Sequence, residues 1–167
     1  MARSKVLMVL LSALAMGGGK PASSPSDEFV VDEYRFEWTL AKEGKVTLQL
    51  EKTAETVCIW LRANMNILSM TPAAAKAVGF ALSKADTYYA AMRGEKEKRE
   101  TVKAGAFRVT WWNSPTSGFS CSVRSGEPFR LDSVFLSRKE ALALSVPMAK
   151  ADLMAAFIVK KLAKAGL

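Results

Sequence analysis

The sequence predicts an α+β fold of two tandem strand-strand-strand-strand-helix repeats, with antiparallel sheets backed by helices. Three observations carry the expectation. Apolar and polar residues alternate with period two from Tyr34 to Met70. A stripe of apolar residues at spacings of three and four follows, and the same order of patterns returns after a charged stretch.

In the first repeat, "EYRFEWTL" alternates Tyr34, Phe36, Trp38 and Leu40 against Glu33, Arg35, Glu37 and Thr39. "GKVTLQLEK" sets Val46, Leu48 and Leu50 against Lys45, Thr47 and Gln49, and "TVCIWLRAN" sets Val57, Ile59 and Leu61 against Cys58, Trp60 and Arg62. Each reads as a strand with one buried face. A short strand, "ILSM", ends at Thr71, an N-cap residue type followed by Pro72 in the first helical turn, where a missing N–H costs nothing. Ala74, Val78, Leu82, Ala85, Tyr89 and Met92 then form one helical stripe.

The second repeat is expected by superposition. A shift of 73 brings Tyr34, Phe36 and Trp38 onto Phe107, Val109 and Trp111, and Val46, Leu48 and Leu50 onto Phe119, Cys121 and Val123. A shift of 74 brings Leu68, Met70 and Thr71 onto Leu142, Leu144 and Ser145, so "LALSVPMAKA" reads as a second strand-to-helix junction. The strand "FRLDSVFLSR" loses alternation near Ser133 and Val134, which predicts a bulge. The expected organisation is a leader and linker at 1–26 and one domain at 27–167. That domain holds repeats at 30–93 and 104–165 joined by a charged connector at 94–103.

Composition narrows the chemistry. The 167 residues contain no histidine, which excludes His-based triads, His general bases and His metal ligands. Cys58 and Cys121 lack CxxC spacing and read as passive fillers, and no metal or cofactor is expected. "GGGK" at 17–20 lacks the spacing of a phosphate loop and reads as a flexible joint. An enzyme is therefore not expected. The net charge of +8 points to a polyanionic partner, although charge alone also fits a basic protein without one. Arg3 and Lys5 precede an apolar run, Val6 to Met16, too short to span a bilayer, and no membrane is expected for the mature chain. The absence of acids before Asp27 fits an organellar leader, "ALA" at 13–15 fits a secretory cleavage site, and an ordinary apolar helix fits as well.

If the regular apolar sets face the helices, the other face of the first sheet shows Arg35, Lys45, Thr47, Gln49, Trp60 and Arg62. The second sheet shows Arg108, Trp112, Ser120, Ser122, Arg124 and Arg130. Cations that follow phosphates, flat rings on which bases stack and small hydroxyls are what a single-strand surface needs. Glu33, Glu37, Glu51 and Asp132 project to the same side and oppose it, and Trp60 and Trp112 equally fit a subunit contact. Arg62 and Arg124 are expected to be exposed.

"KEGKVTLQLEK" followed by "LSMTPAAAKAVGFAL" resembles the transcriptional positive-cofactor domain. Two such units in one chain resemble the Whirly proteins of plant organelles and the trypanosomatid mitochondrial guide-RNA-binding proteins. The Whirly Lys-Gly-Lys-Ala-Ala-Leu motif aligns with Glu43, Gly44, Lys45, Val46, Thr47 and Leu48, with Glu43, Val46 and Thr47 as departures. The resemblance covers about residues 30–165. It implies single-stranded RNA or DNA binding in an organelle such as the mitochondrion, in RNA processing or stability, transcription or genome maintenance. It also implies a homo- or hetero-oligomer, a tetramer in Whirly proteins. The apolar helix "ADLMAAFIVKKL" calls for an extra partner over its surface. Two other classes stand beside this one: a structural subunit of a ribonucleoprotein or mitoribosome-like assembly, and a secreted β-rich interaction domain.

Overall fold

A computed structural model of the chain describes residues 33–95, 97–127 and 132–165. The expected leader and linker, residues 1–26, and Arg130 lie outside the described residues. Among the described residues, eight strands form two antiparallel four-stranded sheets, each in chain order and each followed by a pair of helices. The α+β class with two strand-strand-strand-strand-helix units is therefore observed.

The first sheet comprises β1 (Arg35–Glu43), β2 (Val46–Thr53), β3 (Val57–Ala63) and β4 (Asn66–Met70). Val46, Leu48 and Leu50 of β2, Ile59 and Leu61 of β3, and Leu68 and Met70 of β4 are buried on one face. Period-two alternation thus decides which side meets the helices. The irregularity is in β1, where the register shifts between Thr39 and Ala41. The expected bulge at Ser133 and Val134 is absent: Ser133 pairs with Arg124 and Val134 with Val123 in unbroken register.

The Thr71 hydroxyl accepts the Ala74 N–H at 3.2 Å, with Pro72 at the helix start, as the sequence predicts. The single helix expected over this region breaks at Ser83–Lys84 into α1 (Pro72–Leu82) and α2 (Ala85–Met92). The stripe survives the break, with Val78, Leu82, Ala85 and Met92 all buried.

The second sheet comprises β5 (Arg99–Ala104), β6 (Phe107–Ser114), β7 (Gly118–Ser125) and β8 (Ser133–Ser137). Two expectations are corrected here. The connector assigned to 94–103 contains β5, so the second repeat starts at Arg99 rather than at 104. By ladder position Leu48 and Leu50 correspond to Val109 and Trp111, and Leu68 and Met70 to Val134 and Leu136. The shift of 73 matches β1 to β6 and β2 to β7, one strand out of step, and the shift of 74 matches β4 to a stretch of α3. Such a slip preserves the alternation and so leaves no conflict in the pattern.

The second junction is at Ser137, where β8 meets α3 (Arg138–Ala149). The Ser137 hydroxyl accepts the Glu140 N–H at 3.3 Å, and Glu140 Oε2 accepts the Ser137 N–H at 2.8 Å, a closed capping box. "LALSVPMAKA" is therefore helix, not strand: Ala141, Leu144, Ser145 and Met148 are its buried positions, at helical spacing. Pro147 lies inside α3, and the chain bends by 47° into α4 (Ala151–Ala163). Ser137→Ala opens the capping box and is expected to cost about 1 kcal/mol in urea unfolding. Ser145→Ala, which removes only a hydroxyl bonded to Leu142 O within its own helix, is expected to cost less.

The repeats interlock. The first hairpin of each rests on a helix of the other: an added Cβ at Gly44 would lie 2.9 Å from Glu140 Oε1, and one at Gly105 would lie 3.8 Å from Ala77 Cβ. Lys139 Nζ meets Glu43 Oε1 at 2.7 Å, and Lys76 Nζ donates to Asp152 Oδ2 at 2.7 Å between α1 and α4. Trp111 of β6 is fully buried, stacked between Tyr88 of α2 and its sheet neighbour Phe119 at 5.4 and 5.6 Å. Arg138 at the start of α3 donates to Asp86 at 2.7 Å and lies over the Tyr89 ring at 4.1 Å. The outward side of α4 leaves Leu153 and Phe157 exposed at 67% and 62%. Among the described residues no single helix is long and apolar enough to cross a membrane.

Candidate functional site

The face of each sheet turned away from the helices is organised in cross-strand rows. On the second sheet these are Lys103–Arg108–Arg124–Ser133, Thr101–Thr110–Ser122–Phe135 and Arg99–Trp112–Ser120–Ser137. Arg99, Lys103, Arg108 and Arg124 are exposed, and no acid stands in any of the three rows. Neighbouring strands lie about 4.8 Å apart, so Lys103, Arg108 and Arg124 form a cationic line roughly 10 Å long. Trp112 meets Phe135 edge to face, with ring centres at 6.0 Å and an angle of 81°. Phe135 is 57% exposed, and both rings border an open cleft of about 480 Å³ with Ser122 at its floor.

Five of the residues predicted for this sheet, Arg108, Trp112, Ser120, Ser122 and Arg124, share the face. Sequence reasoning missed Arg99, Thr101 and Lys103, placed in a connector, and Phe135. The signals were present: "RETVKA" puts the polar Arg99, Thr101 and Lys103 in step, with the apolar Val102 and Ala104 on the opposite face, and "SVFLS" puts Phe135 in step with Ser133 and Ser137, opposite the apolar Val134 and Leu136.

The first sheet is less favourable. Its corresponding rows are Lys42–Thr47–Arg62–Ile67, Thr39–Gln49–Trp60–Ser69 and Glu37–Glu51–Cys58. Thr47, Gln49, Trp60 and Arg62 are together as predicted. Arg35 is at the far end of β1, where its Nε lies 3.5 Å from Glu51 Oε2, so its charge is matched within the protein. Lys45 is not on the face: it occupies the turn with Gly44, beyond the last β1–β2 pair, Glu43–Val46. Arg62, expected to be exposed, is half-buried against Trp60, its guanidinium carbon 5.4 Å from the ring centre. Neither Trp60 Nε1 nor Arg62 Nε, both buried, has a hydrogen-bond partner among the described residues. The projection of Glu37 and Glu51 to this side is observed, and they face each other across β1 and β2.

Both cysteines are free thiols, Cys58 half-buried on the first sheet and Cys121 buried on the inner face of the second. Burial pushes the Cys121 thiol up, away from the reactive thiolate.

A scan against models of known protein families finds no match to this chain, and neither does a search of curated proteins.

Proposed function

We propose that the protein binds single-stranded RNA or DNA, without catalysing a reaction, on the outer face of the second sheet. The observation that carries the reading is a set of three cross-strand rows without an acid, holding four exposed cations beside an accessible Trp112–Phe135 corner. Cations along the strands follow phosphates, and aromatic faces accept bases whatever their sequence. The two-repeat architecture and the resemblance to Whirly and guide-RNA-binding proteins support the same reading. With the acid-free N-terminus they favour work in an organelle, the mitochondrial matrix, in RNA processing or stability, transcription or genome maintenance. Exposed Leu153 and Phe157 on α4 support an oligomer, a tetramer by resemblance. The same exposed side chains favour a second reading, a structural subunit of a ribonucleoprotein in which protein contacts dominate.

Fluorescence anisotropy with labelled RNA and DNA of about 20 nucleotides, and a duplex control, separates the two. Single strands are expected to bind more tightly than duplex, and Trp112→Ala to weaken binding by the 1–3 kcal/mol typical of one stacked base, roughly 5- to 150-fold. Trp60→Ala is expected to leave affinity near wild type. A folded protein that binds no oligonucleotide at low salt leaves the structural-subunit reading.

A further inference from the structure

One group lining the cleft beside Trp112 has the wrong charge for a phosphate: Glu97. Its backbone is in the left-handed region, φ 59°, which non-glycine residues adopt at a cost and keep only where surroundings fix it. The surroundings do. The Asn113 side-chain amide, next to Trp112 on β6, donates to Met92 O at 3.1 Å and to Glu95 O at 2.9 Å, while the Asn113 N–H donates to Lys98 O at 3.0 Å. Lys98 Nζ bonds Glu95 Oε1 at 2.9 Å. The backbone is therefore tied to β6 at Glu95 and at Lys98, on either side of Glu97, and Glu97 borders the cleft that Trp112, Phe135, Arg99 and Arg124 also line.

We infer that this cleft is a subsite for one unpaired nucleobase and that Glu97 selects guanine. The inference rests on the single-strand reading above and adds base preference to it. A carboxylate offers only acceptors, so it favours a base edge with two adjacent N–H donors. Guanine presents N1–H and the N2 amino group side by side. Uracil presents one N–H between two carbonyls, and adenine and cytosine each pair an amino group with a ring nitrogen acceptor. The opposite edge of guanine, O6 and N7, accepts from arginine, and Arg99 and Arg124 line the same space. The ring stacks in the Trp112–Phe135 corner, while Glu97 repels phosphate and keeps the backbone toward the Lys103–Arg108–Arg124 row.

The test uses the full chain and U-rich single strands identical except for one central nucleotide: guanosine, inosine, adenosine, cytidine or uridine. Guanosine is expected to bind about tenfold or more tightly than uridine, in line with a good bidentate contact, and inosine, which lacks the N2 amino group, to lose most of that advantage. Glu97→Gln is expected to remove the guanosine preference while keeping or raising affinity for the uridine strand, because it deletes a negative charge. Equal affinity for all five strands, with binding intact, overturns the subsite and leaves single-strand binding standing. A guanosine preference that persists in Glu97→Gln overturns the role of Glu97. Absence of binding to every strand overturns both.

Discussion

Gly79→Val is expected to destabilise the protein by at least about 3 kcal/mol, the largest stability effect of any single substitution proposed. Gly79 is buried in α1 where it crosses the end of α3. A Cβ placed there would lie 2.7 Å from Met148 C and 2.9 Å from Ala149 Cα, and closer still to Ala149 N. All three are backbone atoms, so no rotamer change relieves the clash and the helices must separate. Separation would open space beside Val78, Leu82, Leu144 and Met148, all fully buried. Helix propensity argues the other way, since glycine costs about 1 kcal/mol relative to alanine inside a helix. At this crossing packing outweighs that gain, and even Gly79→Ala is expected to lose 1–3 kcal/mol. Urea unfolding of both variants, with Ala73→Val on the exposed side of α1 as reference, measures the difference. A loss below about 1 kcal/mol for Gly79→Val would mean that the helices do not approach this closely. Because α1 and α3 belong to different repeats, the crossing is also one of the contacts that couple one repeat to the other.

What could be read from sequence, and what could not, divides along one line. Strands with one buried face announce themselves, so β1 to β4 and the Thr71–Pro72 cap were legible nearly to the residue. β5 was not, because it is an edge strand with only Val102 and Ala104 as apolar inward residues and reads as a solvated charge run. Missing β5 forced every later strand of the second repeat one place out of step. Period-two patterns cannot expose that error, since any strand superposes on any other. The capping box at Ser137 and Glu140 was the signal that would have corrected it: it fixes the helix start and demotes "LALSVP" from strand to helix interior. The site suffered accordingly. Arg108, Trp112, Ser122 and Arg124 were recoverable from alternation alone, whereas Arg99 and Lys103 depended on recognising β5.

Correct alignment of the repeats also shows how the two faces diverge. The first rows are alike, Lys42–Thr47–Arg62 against Lys103–Arg108–Arg124. The third rows are opposite in character: Glu37–Glu51–Cys58 in one sheet, Arg99–Trp112–Ser120 in the other. Glu51 is only 6% exposed and takes up Arg35, so the first sheet neutralises one of its own cations, whereas Arg99, Lys103, Arg108 and Arg124 of the second are exposed. Under the proposed single-strand reading, the second sheet is therefore the more favourable of the two.

The charge reversal R108E/R124E is expected to weaken single-strand binding by about 10²- to 10³-fold near 0.1 M salt. Each phosphate contact on a single strand contributes about 0.7 log units of affinity per log unit of salt, hence about fivefold at 0.1 M, and reversal roughly doubles the loss per residue. The salt slope should fall at the same time, by about 1.4 for the two lost contacts and by up to about 2.8 with the added repulsion. Arg108 and Arg124 are direct cross-strand partners, and like charges in that position destabilise a sheet. R124E alone would convert the repulsive pair into an attractive one, and is expected to raise stability by about 0.2–1 kcal/mol while cutting affinity about 25-fold. Stability and binding thus move in opposite directions, which a merely structural role for the arginines would not produce. Reversal of Lys42 and Arg62 in the corresponding row of the first sheet is expected to cost much less affinity. Equal losses from both sheets would show that the strand uses both faces; no loss from either would place the ligand elsewhere and remove the second sheet as the site.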